Sequence, residues 1–280
     1  MKNFLQFSAW RDYKWGEFSL ICLYISLCSG VIVALQYDYT TPFYSTTSID
    51  ILVPFGQFFR SVHFFSSQLF FLLSAIHLLA VCNKSDRYTI TTWIQLTAAL
   101  PTIILLLFTG YILRGDATGS SAGMIAENII LTIPVIGSLL NEFLFSTSNT
   151  GLRKVYVHHV IGLDILLLML IINHLRRYRV RVSSHQLLIA AILIFCMFFP
   201  APLEPERIGV VYISGPWFFL GLQELLRYIE PLFAGVLIPL LFLVIMLFAT
   251  LAKKHAKPWL LTLLLWLTTY AILTIIAWNR

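Results

Sequence analysis

Four histidines stand at matching intervals in two apolar segments of the chain. His63 and His77 are fourteen residues apart, and His159 and His174 are fifteen apart. An α-helix turns by about 100° and rises about 1.5 Å per residue, so each interval covers roughly four turns and places both histidines on one helix face, about 21 Å apart. Imidazole is the usual neutral ligand of haem iron, and a bis-histidine haem takes one ligand from each of two facing helices. The spacing therefore predicts two haem b sites, one held by His63 and His159 and the other by His77 and His174. We call them the outer and the inner site, after the two membrane surfaces near which they would lie.

A single histidine in an apolar segment is more often a hydrogen-bonded core residue than a ligand. Four histidines at two matched spacings, on separate segments, argue against that simpler interpretation. His158 is left over, because adjacent residues on a helix do not share a face. We expect His158 to point towards another helix or the membrane interface, although it would exchange roles with His159 if the register differed by one residue.

Other residues fit the same levels of the predicted bundle. Gly16 and Gly30 are also fourteen residues apart, and a glycine at each level lets a porphyrin approach the helix backbone; ordinary helix packing is the alternative. Arg60 and Lys154 stand at the outer ends of the two histidine segments. They suit the propionates of the outer haem, and they equally suit anchoring at the membrane interface.

The composition indicates a polytopic membrane protein. Of 280 residues, 59% are hydrophobic and only 11% are charged, and the mean hydropathy is +0.84. Soluble domains are about one quarter charged. A helix needs about 20 residues to cross the hydrocarbon core, and seven apolar runs come close to that length: Phe18–Gln36, Val62–Cys82, Tyr88–Leu113, Val155–Leu175, Val182–Phe199, Pro231–Ala252 and Pro258–Trp278. The predicted fold is therefore all-α, with seven transmembrane helices.

Charge placement predicts the orientation. Most of the 19 Lys and Arg residues, including those of Arg176–Arg181, fall in loops that seven spans would place on one side. By the positive-inside rule that side is cytoplasmic or its organelle equivalent. The N-terminus would then be inside and the C-terminus outside, in a bacterial cytoplasmic membrane or an organelle inner membrane. These loops account for the net charge of +6, so it gives no reason to expect nucleic-acid binding.

Two further features qualify this topology. The segment Asn128–Phe145 is apolar but is interrupted by Pro134 and Gly137, so we expect it to lie at the interface. The first residues are too polar for the core of a signal peptide and have no small-residue cleavage site, so we expect no cleaved leader.

Asp164 lies inside the fourth span, where an ionisable side chain is costly and usually functional. It is either paired with a buried cation or part of a proton path.

Several motifs resemble the cytochrome b of quinol:cytochrome c oxidoreductases, over nearly the whole chain. The run "LLLFTGYILRGD" resembles the end of that family's third helix, and "AENIILTIPVIGSLL" resembles the amphipathic hairpin after it. "SGPWFFLGLQELLR" resembles the segment that forms the outer quinol site. The seven spans and the fifteen-residue spacing are most similar to a chloroplast-type cytochrome b fused to its small partner subunit. The resemblance implies a four-helix di-haem domain over residues 1–181 and a three-helix domain over residues 182–280 that contributes to the outer quinol site.

The resemblance also implies an activity. A member of this family is a subunit of a respiratory quinol-oxidising complex: electrons pass through two b haems between an outer and an inner quinone site, and the complex includes a Rieske-type iron-sulfur protein and a c-type cytochrome. Relatives are dimeric and sit in membrane lipid. By the same resemblance Gly110 contacts a cofactor, and Pro216 and Trp217 belong to the outer quinol site. His185 and the cluster Arg176–Arg181 are candidates for the inner quinone site by their position, although contact with lipid headgroups is the simpler explanation for the arginines.

The chain departs from the family pattern at two places. Arg114-Gly115 stands where relatives have Pro-Trp, and Gly215 to Phe218 replaces the family's "PEWY", so the glutamate thought to accept a quinol proton is absent. Three carboxylates are candidate replacements, of which Glu224, seven residues after Trp217, fits best. The others are Asp116 and Glu127, which a solvated loop would also explain.

Two alternative functions remain compatible with the sequence. A di-haem membrane anchor of another quinone-linked dehydrogenase or reductase would use the same four histidines with only one quinone site. A haem-free, proton-coupled transporter would use the intramembrane histidines and Asp164 as a proton relay.

Overall fold

The computed structural model describes residues 13–81, 88–146, 149–206, 209, 213–251 and 256–280. Within these ranges the protein is helical and contains no β-strand. The helices are α1 (Trp15–Ala34), α2 (Pro42–Leu52), α3 (Gly56–Val81), α4 (Ile90–Ile112), α5 (Ala117–Leu131), α6 (Gly137–Leu144), α7 (Asn149–Val157), α8 (Leu163–Arg177), α9 (Gln186–Phe198), α10 (Leu220–Leu225), α11 (Ile238–Leu251) and α12 (Ala256–Trp278). A π-helical turn, His158–Gly162, joins α7 to α8.

Each of the seven predicted apolar spans is largely helical over its described residues. In the part of the chain that the structure describes, five helices have the length and composition to cross a membrane: Trp15–Ala34, Gly56–Val81, Ile90–Ile112, Gly151–Arg177 and Pro258–Trp278. The two other apolar helices, Val182–Phe198 and Phe233–Phe248, are shorter. Long apolar side chains are widely exposed on these helices, as expected where lipid rather than protein is the neighbour.

The interrupted segment after the third span forms two short helices rather than a crossing. Helix α5 has 15 residues and α6 has eight, both below the ~20 residues that a span requires. Between them Val135 takes a left-handed conformation with φ of 67°, next to Pro134. The two helices pack against each other.

The chain divides into two compact units. The first comprises Met1–Tyr37, Ser45–Leu107 and Gly162–Pro202, and the second comprises Asp38–Tyr44, Phe108–Ile161 and Leu203–Arg280. The predicted division of roles at residue 181 stays a prediction.

Helices α1 and α3 make the most extensive contact in the first unit. Small polar residues face each other along it, and the hydroxyls of Ser19 and Ser74 lie 2.7 Å apart. Lipid is as apolar as a leucine side chain, so helices in a membrane associate through close packing and hydrogen bonds, which small residues permit. Apolar residues from α1, α3, α4, α8 and α9 complete the core: Leu20, Cys22, Leu23, Val62, Phe70, Ala99, Ile103, Leu167, Ile192 and Cys196.

A buried ion pair ties three segments of the first unit together. Nε and NH2 of Arg60 on α3 donate to the two carboxylate oxygens of Asp50 on α2, at 2.6 and 2.5 Å. NH2 of Arg60 also donates to the carbonyl of Ala201 at 2.8 Å, and the backbone N–H of Ala201 donates to the hydroxyl of Ser61. Bidentate geometry and the extra acceptor offset the desolvation of both charges.

In the second unit, Asp116 is the polar centre of the turn between α4 and α5. Its side chain is fully buried and caps α5 by accepting a hydrogen bond from the backbone N–H of Gly119 at 2.8 Å. It also pairs with Arg114 and accepts a hydrogen bond from the backbone N–H of Glu204 at 3.0 Å. Gly115, with φ of +68°, approaches the backbone of Phe43 so closely that a Cβ would lie 2.4 Å from its nitrogen. The Arg114-Gly115 departure therefore has a structural explanation, since the turn needs a glycine and an ion pair to close.

We expect Asp116→Ala to destabilise the protein by about 3 kcal/mol or more, because it removes a helix cap and leaves the guanidinium of Arg114 buried without its counter-charge. The midpoint of thermal unfolding in detergent measures the loss. The matched control is Asp38→Ala, since Asp38 is exposed and accepts hydrogen bonds from Thr40 in its own turn. Equal stability of the two variants would contradict the structural role of Asp116.

Candidate functional site

His77 and His174 face each other across a cavity in the first unit. Their ring centroids are 6.1 Å apart and their planes are inclined by 56°. The cavity contains about 820 Å³ of space between protein atoms, part of it open at the mouth. Helices α1, α3, α4 and α8 line it with mostly apolar residues, together with both histidines, Tyr88 and Trp93. The predicted inner pair is thus brought together.

This cavity fits a haem iron held by two imidazoles. Metal–imidazole bonds are about 2 Å long, so two rings on opposite sides of one metal have their centroids roughly 6 Å apart, close to the separation of His77 and His174. Nδ1 of His174 is buried without a hydrogen-bond partner, whereas buried polar atoms normally have one. The absence of a side chain at Gly16 provides space for the His77 ring, because a Cβ there would lie 2.9 Å from Cε1 of His77.

His63 lies in the first unit and is oriented by α1. Its Nδ1 lies 2.9 Å from the backbone carbonyl of Ser26. A carbonyl only accepts, so Nδ1 carries the proton and Nε2 carries the lone pair that a metal would bind. Gly30 lies against the same ring, and a Cβ there would be 2.8 Å from Cε1 of His63.

His158 and His159 lie in the second unit, in the π-helical turn, and point to different partners. Nδ1 of His159 lies 3.0 Å from the hydroxyl of Thr109, and a Cβ on Gly110 would be 2.8 Å from Cε1 of His159. Nε2 of His158 instead donates to the carbonyl of Phe143 at 3.0 Å. Single π turns inside α-helices are frequent at functional sites, and this one separates the two neighbouring imidazoles.

The glycines predicted at the haem levels, and Gly110 with them, share one geometry. Each lies against a histidine of another helix: Gly16 against His77, Gly30 against His63 and Gly110 against His159. Sequence reasoning did not identify Ser26 and Thr109 as partners of the imidazoles. The signal was present, since Thr109 precedes Gly110 and Ser26 lies one turn before Gly30.

The two basic residues predicted at the outer haem have protein partners. Arg60 is bound by Asp50 and Ala201, and would reach another carboxylate only by giving up part of that pair. Nζ of Lys154 donates to the carbonyl of Glu142. Their role towards a haem propionate stays a prediction.

His185 and Asp164 occupy different environments in the first unit. His185 is buried, and its Nε2 lies 2.9 Å from Oε2 of Glu17 on α1; Glu17 also pairs with Lys14 at 3.2 Å. Asp164 is half-buried in the first turn of α8.

The segment resembling a quinol site is well ordered by hydrogen bonds in the second unit. The side chain of Gln223 accepts a hydrogen bond from the backbone N–H of Gly215 at 2.7 Å and donates to the carbonyl of Ile213 at 2.7 Å. Pro216 is buried and Trp217 is 39% exposed. Tyr270 on α12 donates to the carbonyl of Phe218 at 2.7 Å. Gln223 is a structural residue that the motif comparison did not reveal.

Glu224 is a buried carboxylate with one oxygen engaged. Oε1 accepts a hydrogen bond from the hydroxyl of Tyr228 at 2.7 Å and lies 3.1 Å from NH2 of Arg280. Oε2 is buried without a hydrogen-bond partner. Tyr228 is 63% exposed, so its hydroxyl joins a buried acid to the surface. Tyr228 could have been found from its i+4 spacing, whereas Arg280 is too distant in sequence.

The two other candidate carboxylates, Asp116 and Glu127, already accept hydrogen bonds that hold the structure together. Both oxygens of Asp116 accept hydrogen bonds, from Thr118 and Gly119 on one side and from Glu204 on the other. Glu127 on α5 accepts a hydrogen bond from the amide of Asn141 on α6 at 2.8 Å. Glu224 is therefore the best placed of the three to take up a proton.

Comparison with known proteins identifies the family. A family model for cytochrome b/b6/petB matches residues 6–181. Cytochrome b6 of Heliomicrobium gestii is 28% identical over 174 residues, covering 59% of this chain and 81% of that protein. Cytochrome b of Bugula neritina is 25% identical over 280 residues, covering 86% of this chain and 76% of that protein.

The fold agrees with this result. A solved structure described as a hyperthermophilic respiratory Complex III contains a chain that superposes with a TM-score of 0.72 at 19% identity, covering 94% of this chain and 82% of that one. The family assignment favours a haem protein over a haem-free transporter. With the family model matching well over half of its length, the chain belongs to the cytochrome b/b6 family and is an integral membrane, haem-binding subunit of a bc-type oxidoreductase complex.

Proposed function

We propose that this chain binds two haem b groups and serves quinol oxidation near the outer membrane surface and quinone reduction near the inner one. The observation that supports it most directly is the pair His77 and His174, 6.1 Å apart in a cavity lined mainly by apolar residues. When bound, the haems supply one-electron redox chemistry at two depths, which the protein tunes through axial ligands and burial.

The protein's own residues hold and orient the iron ligands in this proposal. The carbonyl of Ser26 keeps His63 in the tautomer whose Nε2 bears a lone pair. The hydroxyl of Thr109, 3.0 Å from Nδ1 of His159, holds the orientation of that ring. Outer partners of this kind fix the orientation of a ligating imidazole and raise its basicity. Apolar residues line the space around His77 and His174 and would limit the access of water to a bound haem.

At the outer quinol site, Pro216 and Trp217 would contact the quinol, and Glu224 would accept a proton from it. Oε2 of Glu224 has no hydrogen-bond partner and Oε1 is bonded to the exposed Tyr228. A carboxylate in that position can take a proton on its buried side and release it through the hydroxyl on its exposed side.

At the inner quinone site, His185 would supply a proton. Its Nε2 is bonded to Glu17, whose side chain is one-third exposed, so the pair connects a buried imidazole with the surface. By the resemblance to relatives this site would lie on the cytoplasmic or equivalent side, where Arg176–Arg181 would also contact lipid headgroups.

The partners we propose are a Rieske-type iron-sulfur protein as the external acceptor of one electron and a c-type cytochrome beyond it, in a dimeric complex within membrane lipid. The chain's similarity to cytochrome b of other organisms supports this set. A di-haem anchor with one quinone site is the second candidate, and Pro216, which stands where the family has its proton-accepting glutamate, favours it. Purification of the intact complex separates the two, because an anchor would bring other stoichiometric subunits.

His174→Leu should remove the inner haem and leave the outer one reducible, because the iron loses one of its two axial ligands. A reduced-minus-oxidised absorption spectrum of the purified complex, with redox titration, counts the b-type components. His158→Leu is the matched control and should retain both, since His158 donates to Phe143 instead. Retention of both components in His174→Leu would refute the ligand assignment.

Gly16→Ala should disturb the inner site selectively. The new Cβ would lie 2.9 Å from the His77 ring, and overpacking of this kind costs about 1–3 kcal/mol, with each 1.4 kcal/mol a tenfold loss of affinity. We expect lower occupancy of the component that His174→Leu abolishes. Gly123→Ala, where the nearest atom is 3.4 Å from the new Cβ, controls for the added methyl group, and an equal effect there would contradict the prediction.

Glu224→Gln should slow quinol oxidation by about 100-fold or more, because the amide cannot accept the proton while it keeps the size of the side chain. The assay is steady-state reduction of the external acceptor by a quinol analogue, with unchanged haem spectra as evidence of folding. Glu142→Gln serves as the control, because the backbone carbonyl of Glu142, not its side chain, holds Lys154. A normal rate in Glu224→Gln would exclude this residue as the proton acceptor.

A further inference from the structure

We propose that Arg177, together with Tyr88 and Tyr178, binds the propionate carboxylates of the inner haem. This inference rests on the proposed function and adds to it the residues that recognise the polar edge of the cofactor.

Two tyrosines flank the predicted ligand His174, and one of them, Tyr88, also lines the cavity. The ring centroids of Tyr178 and His174 are 4.9 Å apart, and those of Tyr88 and His174 are 6.2 Å apart. The two tyrosine hydroxyl oxygens lie 3.4 Å from each other. Two phenolic donors thus converge beside one predicted iron ligand.

Arg177 places its charge on the same cluster. Its guanidinium carbon lies 5.8 Å from the centroid of the Tyr88 ring, within the range of a cation–π interaction. The residue is exposed in the last turn of α8, three positions after His174. Residues three apart on a helix are neighbours on its surface, so the guanidinium and the imidazole project from the same side of α8.

A haem bound in this cavity would need a cation close to its carboxylates. Among the residues that line it in the described part of the chain, none is Lys, Arg, Asp or Glu. A haem b carries two carboxylates, and burying an anion without a partner is unfavourable. Guanidinium binds carboxylates through two parallel hydrogen bonds, and tyrosine hydroxyls add neutral donors.

Neighbouring cations fit this role less well. Lys14 pairs with Glu17 at 3.2 Å. Arg176 is exposed like Arg177 but points about 100° away around the helix. Contact with a lipid phosphate is the competing explanation for any exposed arginine here, and the experiment distinguishes it.

The test is redox titration of the purified complex, following the haem component that His174→Leu abolishes. Arg177→Gln should lower the midpoint potential of that component, because loss of the cation leaves the carboxylates unneutralised and they stabilise the ferric state. It should also increase haem loss on dilution in detergent. Arg177→Lys, which keeps the charge but loses the bidentate fork, should shift the potential less, and Tyr88→Phe should shift it in the same direction.

Arg176→Gln is the matched control, since it removes the same charge one residue away. If Arg176→Gln and Arg177→Gln shift the inner component equally, or neither shifts it, the arginines act only on lipid or on the general surface potential, and the proposal is overturned. A wild-type complex with no inner component would overturn the proposed function and this inference together. Two normal components in wild type with no effect of Arg177→Gln would overturn the inference alone.

Discussion

The governing constraint on this protein is that an imidazole held in a membrane-spanning helix must have a partner for its nitrogens. Water is absent from the bilayer core, so an unsatisfied polar atom there costs several kcal/mol. In two of the histidines the protein supplies a partner for Nδ1: the carbonyl of Ser26 for His63 and the hydroxyl of Thr109 for His159. Satisfying Nδ1 of His63 through a carbonyl also determines the tautomer, and leaves Nε2 as the basic nitrogen.

Close approach of helices follows from the same constraint. A carbonyl on α1 can reach a histidine on α3 only if no side chain intervenes, and the small residues of α1 provide that clearance. Gly16 and Gly30 lie directly against His77 and His63, and the Ser19–Ser74 contact continues the seam. Lipid supplies little hydrophobic driving force between helices. This close packing therefore both stabilises the first unit and orients the predicted iron ligands His63 and His77.

Charged residues that suggest chemistry in the sequence divide into two groups in the structure. Asp116 and Arg60 each have several hydrogen bonds to protein groups, and they hold turns and segments in place. Glu224 and His185 are buried but linked to more exposed residues, Glu224 through Tyr228 and Arg280 and His185 through Glu17. A half-satisfied buried group connected to solvent suits proton transfer, whereas a saturated one suits structure.

The sequence by itself determined the helical class, the seven apolar segments and the histidine intervals, because hydrophobicity and spacing along one helix are local properties. It also indicated that His158 and His159 cannot share a face. Only the tertiary structure decided that Asp50 forms an ion pair with Arg60, that Arg280 forms one with Glu224, and that the guanidinium of Arg177 lies over the Tyr88 ring. These pairs join residues on different helices or distant segments, and their meeting depends on how helices pack, which a pattern read along the chain does not contain.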